Sequence, residues 1–225
     1  MSDGANWQVI DEALGQVPEC KVYLNTKQSN ILDSLWISVA IDTESYDIGS
    51  NYDISTWISG TARATTAFHL IDTTANPFTA AMVGRQVKNT TDSTYTHILA
   101  YHSTSDVQLQ DNIFVNTEEY LINNTKFVSP ISGKYEISCY VTYSSIAADK
   151  EYYSTLYKNG AGLLKISKHA ADIGGWSSPN AITIDSLSIN DYIELYAYNG
   201  SSVPTVDLES GIDRTCLMIR LISKD

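Results

Sequence analysis

The chain has 225 residues, 43% hydrophobic and 18% charged, with a formal net charge of -12 at pH 7. That length can bury a core without disulfides or metals, and the acidic balance excludes a DNA or RNA surface, which must present lysine and arginine to phosphates. No apolar run approaches the roughly 20 residues of a membrane-spanning helix, so no membrane partner is expected.

Along the chain, residues 1–20 show neither a basic n-region nor an apolar h-region. No secretory leader is therefore expected, and synthesis in a cytoplasm is. Asn6 is a fair N-cap, Trp7, Ile10 and Leu14 recur at helical spacing, and Gly15 stands where a helix ends, which predicts one short helix over 7–14. It reads either as a packing helix or as an anchor that docks Trp7, Ile10 and Leu14 on a partner.

Beyond Pro18 the sequence is rich in Val, Ile, Thr and Tyr and is punctuated by Gly, Asn, Asp and Ser. Strands are predicted at 20–25, 35–42, 64–71, 95–102, 112–116, 134–144, 151–158, 162–168, 181–187, 191–199 and 214–222. Many short strands without alternating helices imply an all-β fold, an antiparallel sandwich or jelly roll.

The later strands carry the clearest faces. Ile137, Cys139 and Val141 point one way, and Glu136, Ser138, Tyr140 and Thr142 the other. In DYIELYAY, Ile193, Leu195 and Ala197 oppose a stripe of Tyr192, Glu194, Tyr196 and Tyr198. The last strand, RTCLMIRLI, is apolar on both faces except at Arg220, and a strand apolar on both sides must be covered on both.

Fifteen tyrosines against four phenylalanines fit a surface buried on assembly, because the hydroxyl keeps a polar contact. They also fit simple strand propensity. On the assembly reading the candidate subunit interface is Tyr140, Tyr192, Tyr196, Tyr198, Met218 and Arg220.

Four motifs then bear on family. TKFVSPISGKYEISCYVTY carries Phe127, Pro130, Gly133 and Tyr135 in a Phe-x-x-Pro-x-x-Gly-x-Tyr pattern. STLYKNG ends in Lys158, Asn159 and Gly160, SLSINDYIELYAYNG places Asn190 before Asp191, and RTCLMIRLI closes the chain. In this order they resemble the globular heads of complement component one-q, in the tumour necrosis factor jelly-roll superfamily. That family usually has Gly where Asn190 stands. The resemblance implies a jelly roll that assembles as a homotrimer.

A near-repeat complicates the boundaries. IDTESYDI at 41–48 and VNTEEYLI at 115–122 share one pattern, and the family's front segment is matched better by the first copy, TESYDIGSNYD at 43–53. Two arrangements account for this. Residues 1–90 form a β-rich anchoring module with a partial front-half repeat at 41–53, and 91–225 form the jelly roll; or one larger jelly roll starts near 20 and carries an insertion at about 60–95. The first is favoured, because 95–225 holds enough predicted strands to close by itself.

Catalytic chemistry is not visible, and no enzyme, cofactor or metal site is expected. His69, His97, His102 and His169 show no metal-ligand spacing and read as surface or turn residues. Cys20, Cys139 and Cys216 are too scattered for a disulfide framework or zinc site and read as small buried apolar residues. Asp106, Asp111, Asp207 and Glu209 are loop carboxylates considered for calcium, without the dense ligand run of an EF-hand. Sequons at Asn89, Asn123 and Asn199 read as chance.

These features favour a virion structural protein, a trimeric decoration or cement protein of a bacteriophage capsid. It would be made in the host cytoplasm and partnered by the major capsid protein or other virion proteins. One alternative is a tail or head fibre tip that binds a host surface carbohydrate, with Trp176 in its Gly-Ser loop as the stacking platform. A second is a secreted or adhesive cellular binding module.

Overall fold

The computed structural model describes residues 17–55, 57–160, 162–171, 175–200, 202 and 205–225. The helix expected over 7–14, with Trp7, Ile10 and Leu14, lies outside the described residues. In chain order the strands are β1 (Glu19–Tyr23), β2 (Gln28–Leu32), β3 (Trp36–Ser38), β4 (Thr43–Ile48), β5 (Tyr52–Asp53), β6 (Trp57–Thr61) and β7 (His69–Ile71). They continue as β8 (Gln86–Asn89), β9 (Tyr95–Ser103), β10 (Asp106–Leu109), β11 (Glu119–Asn123), β12 (Lys126–Val128), β13 (Gly133–Tyr140) and β14 (Tyr143–Ile146). The last are β15 (Lys150–Lys158), β16 (Gly162–Ala171), β17 (Gly175–Ser177), β18 (Asn180–Leu187), β19 (Tyr192–Gly200), β20 (Thr205–Leu208) and β21 (Cys216–Lys224).

The fold is an antiparallel jelly-roll sandwich, and its strand pairing defines it. β1 pairs with β21, β12 with β19, β13 with β18 and β15 with β16, so outer pairs enclose inner ones in chain order. A five-stranded sheet, β18-β13-β21-β1-β4, faces the sheet β16-β15-β19-β12-β5, to which β3 adds beside β19. Inward residues of both meet in one core that includes Val22, Phe127, Tyr135, Ile137, Leu195, Leu217 and Ile219. A smaller sheet, β17-β14-β20-β2, is built from continuations of the main strands.

Between β5 and β12 the chain leaves the sandwich and builds a separate six-stranded sheet, β6-β11-β8-β9-β10-β7. It has its own core, with Leu70, Phe78, Val87, Ile98 and Tyr120. The pairing therefore departs from a division at residue 90, which would cut the hairpin where Lys88 faces Tyr95. The reason is the closing strand: β21 lies between β13 and β1, so the jelly roll takes a strand from residues 19–23, while 95–123 go to the inserted sheet.

Local chemistry explains the motif residues. Phe127 packs edge-on against Tyr135, whose hydroxyl donates to the Ile131 carbonyl at 2.8 Å. A Cβ on Gly133 would stand 2.3 Å from the Ser223 carbonyl oxygen, so only glycine allows β13 this close to β21. Asn159 and Gly160 both have positive φ at the β15–β16 turn, and Asn190 takes φ 71°, a conformation asparagine tolerates almost as glycine does.

Among the described residues, hydrogen bonds at three places fasten the inserted sheet to the sandwich. Gly84, at φ +85°, accepts from Ser38 N–H at 3.0 Å, and a Cβ there would meet the Trp36 carbonyl oxygen at 2.0 Å. Arg85 donates to Glu194 of β19 and, at 2.9 Å, to the Asn123 carbonyl. Gln28 of β2 joins His97 of β9 at 3.3 Å.

The last contact fixes a tautomer. Gln28 accepts from Ala40 N–H through Oε1 and donates to the Ser38 carbonyl through Nε2, so its Nε2 is also the donor toward His97 Nε2. His97 then carries its proton on Nδ1, which donates to Gln110 Oε1 at 3.2 Å. His97 is only 1% exposed, and burial lowers its pKa to about 4. The surface or turn placement expected for this histidine is corrected: it is a buried neutral hydrogen-bond link.

Candidate functional site

The outward face of the five-stranded sheet is the most prominent candidate surface. Residues alternate across β13, β18, β21 and β1, so Ile137, Cys139, Leu217, Ile219 and Val22 enter the core while their neighbours face out. Register aligns the outward residues in rows. One runs Tyr46, Lys21, Met218, Ser138, Ile182, and the next runs Ile48, Glu19, Arg220, Glu136, Ile184.

The rows are apolar at both edges and polar between. Ile182 and Ile184 on edge strand β18 are 62% and 61% exposed, and Tyr46 and Ile48 on the opposite edge strand β4 are also exposed. The centre holds Met218 with a polar set: Tyr46 Oη donates to Glu19 Oε1 at 2.9 Å, and Arg220 reaches Glu136 at 3.4 Å. β-Branched side chains of that size on an edge strand are a liability in a monomer and ordinary in an interface.

The structure separates the six residues taken from the sequence as one interface. Tyr140, Met218 and Arg220 lie on the outward face just described. Tyr192, Tyr196 and Tyr198 lie on the outward face of β19, on the other sheet. Tyr196 is only 5% exposed and sits 4.6 Å, ring to ring, from Tyr157. Tyr198 stacks on Trp36 at 4.7 Å and meets Tyr153 at 5.5 Å. The stripe is thus partly covered by the chain itself: Arg85 of the inserted segment reaches Glu194, Trp36 of the neighbouring strand β3 lies against Tyr198, and Tyr192 and Tyr198 stay half-buried.

Sequence reasoning missed Tyr46, Ile48, Ile182 and Ile184. The signal was present in TESYDI and NAITIDSL as alternation, but which of two alternating faces meets the core cannot be read without the neighbouring strand.

Other candidates resolve individually. Trp176 is exposed on β17, and the Arg214 guanidinium lies 4.0 Å from its ring centroid, a cation–π contact. The calcium candidates are engaged by protein groups: Lys27 pairs with Asp207 at 3.0 Å and with Glu209 at 3.1 Å, Asp106 pairs with His69, and Asp111 accepts from Thr96. Asn89, Asn123 and Asn199 are fully buried, so the folded chain offers none of the three sequons for modification. All three cysteines are free and buried, and burial pushes the Cys139 thiol up to about 12, where it is unreactive.

No family model matches the chain, and no curated protein matches it. Solved structures do. The globular domain of zebrafish complement 1qA is 9% identical, with a TM-score of 0.48, over 93% of this chain and 100% of that one. Murine APRIL is 10% identical, with a TM-score of 0.43, over 91% and 99%. The Eiger TNF of S. frugiperda is 9% identical, with a TM-score of 0.37, over 44% of this chain and 66% of that one.

Proposed function

We propose that the chain is a non-catalytic structural module that works as a homotrimer through the outward face of its five-stranded sheet, and that its place is on a virion, as a bacteriophage capsid decoration protein. The observation that carries the assembly is the pair of apolar edges. Ile182 and Ile184 on one edge and Tyr46 and Ile48 on the other are different surfaces, so copies related by rotation about an axis near this face bring one edge against the other. Such a head-to-tail contact closes as a ring, and the sequence resemblance supplies the number three.

Support for the virion reading is indirect. Three thiols are free among the core strands, which suits a chain folded in a reducing compartment rather than a secreted one. The net charge of -12 suits a protein held at high density on a surface, where copies must not aggregate. Purification of intact virions from the source of this sequence, with quantitative mass spectrometry of their proteins, tests the placement. A stoichiometry of hundreds of copies supports decoration, a few dozen supports a fibre, and absence from the particle with the trimer intact rejects the virion and leaves a cellular binding module.

A further inference from the structure

Where the inserted sheet meets the sandwich, a cleft of about 510 Å³ remains open. Its inserted wall is one sheet face, because Val87, Ile98 and Ile122 point to the inserted core and their strand neighbours point the other way. Register sets Gln86 beside His97, Lys88 beside Tyr95 and Leu121 beside Lys88, with Trp57 one strand further on. The facing wall is the chain from Leu24 to Asn30 with Ala40 and Asp42.

The polar groups in this cleft divide into those already engaged and those that are not. Gln28 and His97 hold each other, Lys27 is paired with Asp207 and Glu209, and Asp42 accepts from Asn25 and Thr26 N–H. Gln86 is different: it is 8% exposed, it lines the cleft, and among the described residues its side-chain amide makes no hydrogen bond. With no protein partner to displace among the described residues, this amide is open to a ligand's hydroxyl groups entering the cleft. Lys88 also pairs with no carboxylate among the described residues, and its ammonium stands 5.5 Å from the Tyr95 ring centroid.

We propose that this cleft binds an acidic saccharide. Trp57 and Tyr95 supply rings for the apolar faces of a sugar, the Gln86 amide supplies a donor and an acceptor for its hydroxyls, and the Lys88 ammonium takes its carboxylate. Of the remaining lining, Thr26, Ser29 and Asn30 are uncharged, while Lys27 and Asp42 are charged but engaged by protein groups, which matches a hydroxyl-rich ligand with one acidic group rather than a polyanion. This site is distinct from Trp176, whose ring is stacked by Arg214, and it does not use the proposed trimer face.

The test is calorimetric titration of the full chain with soluble oligosaccharides of matched length, one set neutral and one uronate-bearing. Saturable binding of a uronate-bearing member is expected, at least tenfold tighter than its neutral counterpart. Gln86→Ala and Trp57→Ala should each weaken it tenfold or more, Lys88→Ala should erase the acidic preference, and Trp176→Ala should change nothing. Lys88 is part-exposed, so its variant tests the site even where the variant at buried Gln86 loses its fold, with melting temperature checked in each case. Absence of binding across the set, equal binding of neutral and acidic members, or binding that Lys88→Ala leaves unchanged would overturn the proposal. The oligomeric state is read in the same samples, so failure here is distinguishable from failure of the trimer.

Discussion

Arg85 of the inserted segment donates to Glu194 of β19 at 2.5 Å, with both side chains buried and the second carboxylate oxygen of Glu194 unpartnered among the described residues. A buried pair of this kind contributes little over a well-packed apolar pair, but removing one member strands a charge. Arg85→Met is therefore expected to cost roughly 3–5 kcal/mol in urea unfolding. The double variant Arg85→Met, Glu194→Leu should recover most of it. A single variant within 1 kcal/mol of the parent would mean that water reaches Glu194.

Gly84 makes a second prediction about the same junction. Its φ of +85° and the 2.0 Å approach to the Trp36 carbonyl leave no room for a methyl group. Gly84→Ala should destabilise by about 2 kcal/mol or more, by combining backbone strain with a shift of the inserted segment. The loss should appear as faster amide exchange at Ser38, whose N–H donates to the Gly84 carbonyl.

Acid should loosen the junction through His97. Its folded pKa is about 4 against an ordinary 6.5, because burial disfavours the imidazolium. The unfolded chain therefore binds the proton more readily, and the stabilisation is complete above pH 6.5, falls as pH drops toward 4 and is gone below it. The window amounts to roughly 3 kcal/mol at 1.36 kcal/mol per pKa unit. Thermal unfolding between pH 7 and pH 4 should be less steep in His97→Gln than in the parent. Parallel curves would show that another group governs this range.

The two tyrosine sets should separate by phenotype. Tyr140 is exposed on the five-stranded face, whereas Tyr196 is buried beneath its own chain. Tyr140→Asp should leave a folded protein that dissociates at higher concentration than the parent. Tyr196→Asp should instead lower the unfolding free energy by roughly 3 kcal/mol or more, because it places an unpaired carboxylate beside Glu194. Intact oligomer and unchanged stability in Tyr196→Asp would contradict the packing over β19.

The contrast shows what the sequence makes legible. Alternation in KYEISCY and DYIELYAY, the turn at Asn159-Gly160 and the turn at Asn190 follow from local chemistry, and the strands there match. Partnership across the chain does not. Arg85 lies 109 positions from Glu194, so nothing near Tyr196 announces that it will be covered. The twin stretches show the same limit: Tyr46 stands exposed on β4 while Tyr120 is buried on β11 with its hydroxyl donating to Asp72 at 2.9 Å. Similar octapeptides fill unlike places because the neighbouring strands differ. His97 was legible as a strand residue, and its burial was not, because β2 comes from the other side of the junction.

The central claim is that the outward face of β18-β13-β21-β1-β4 is an interface between copies of the chain. Native mass spectrometry at micromolar concentration, on the parent and on Ile184→Asp, addresses it most directly. The parent should give three times the 24.8 kDa chain, and Ile184→Asp, at a position 61% exposed, should give a folded monomer. A parent that is monomeric at that concentration, or a trimer that survives Ile184→Asp and Met218→Asp together, would contradict the account.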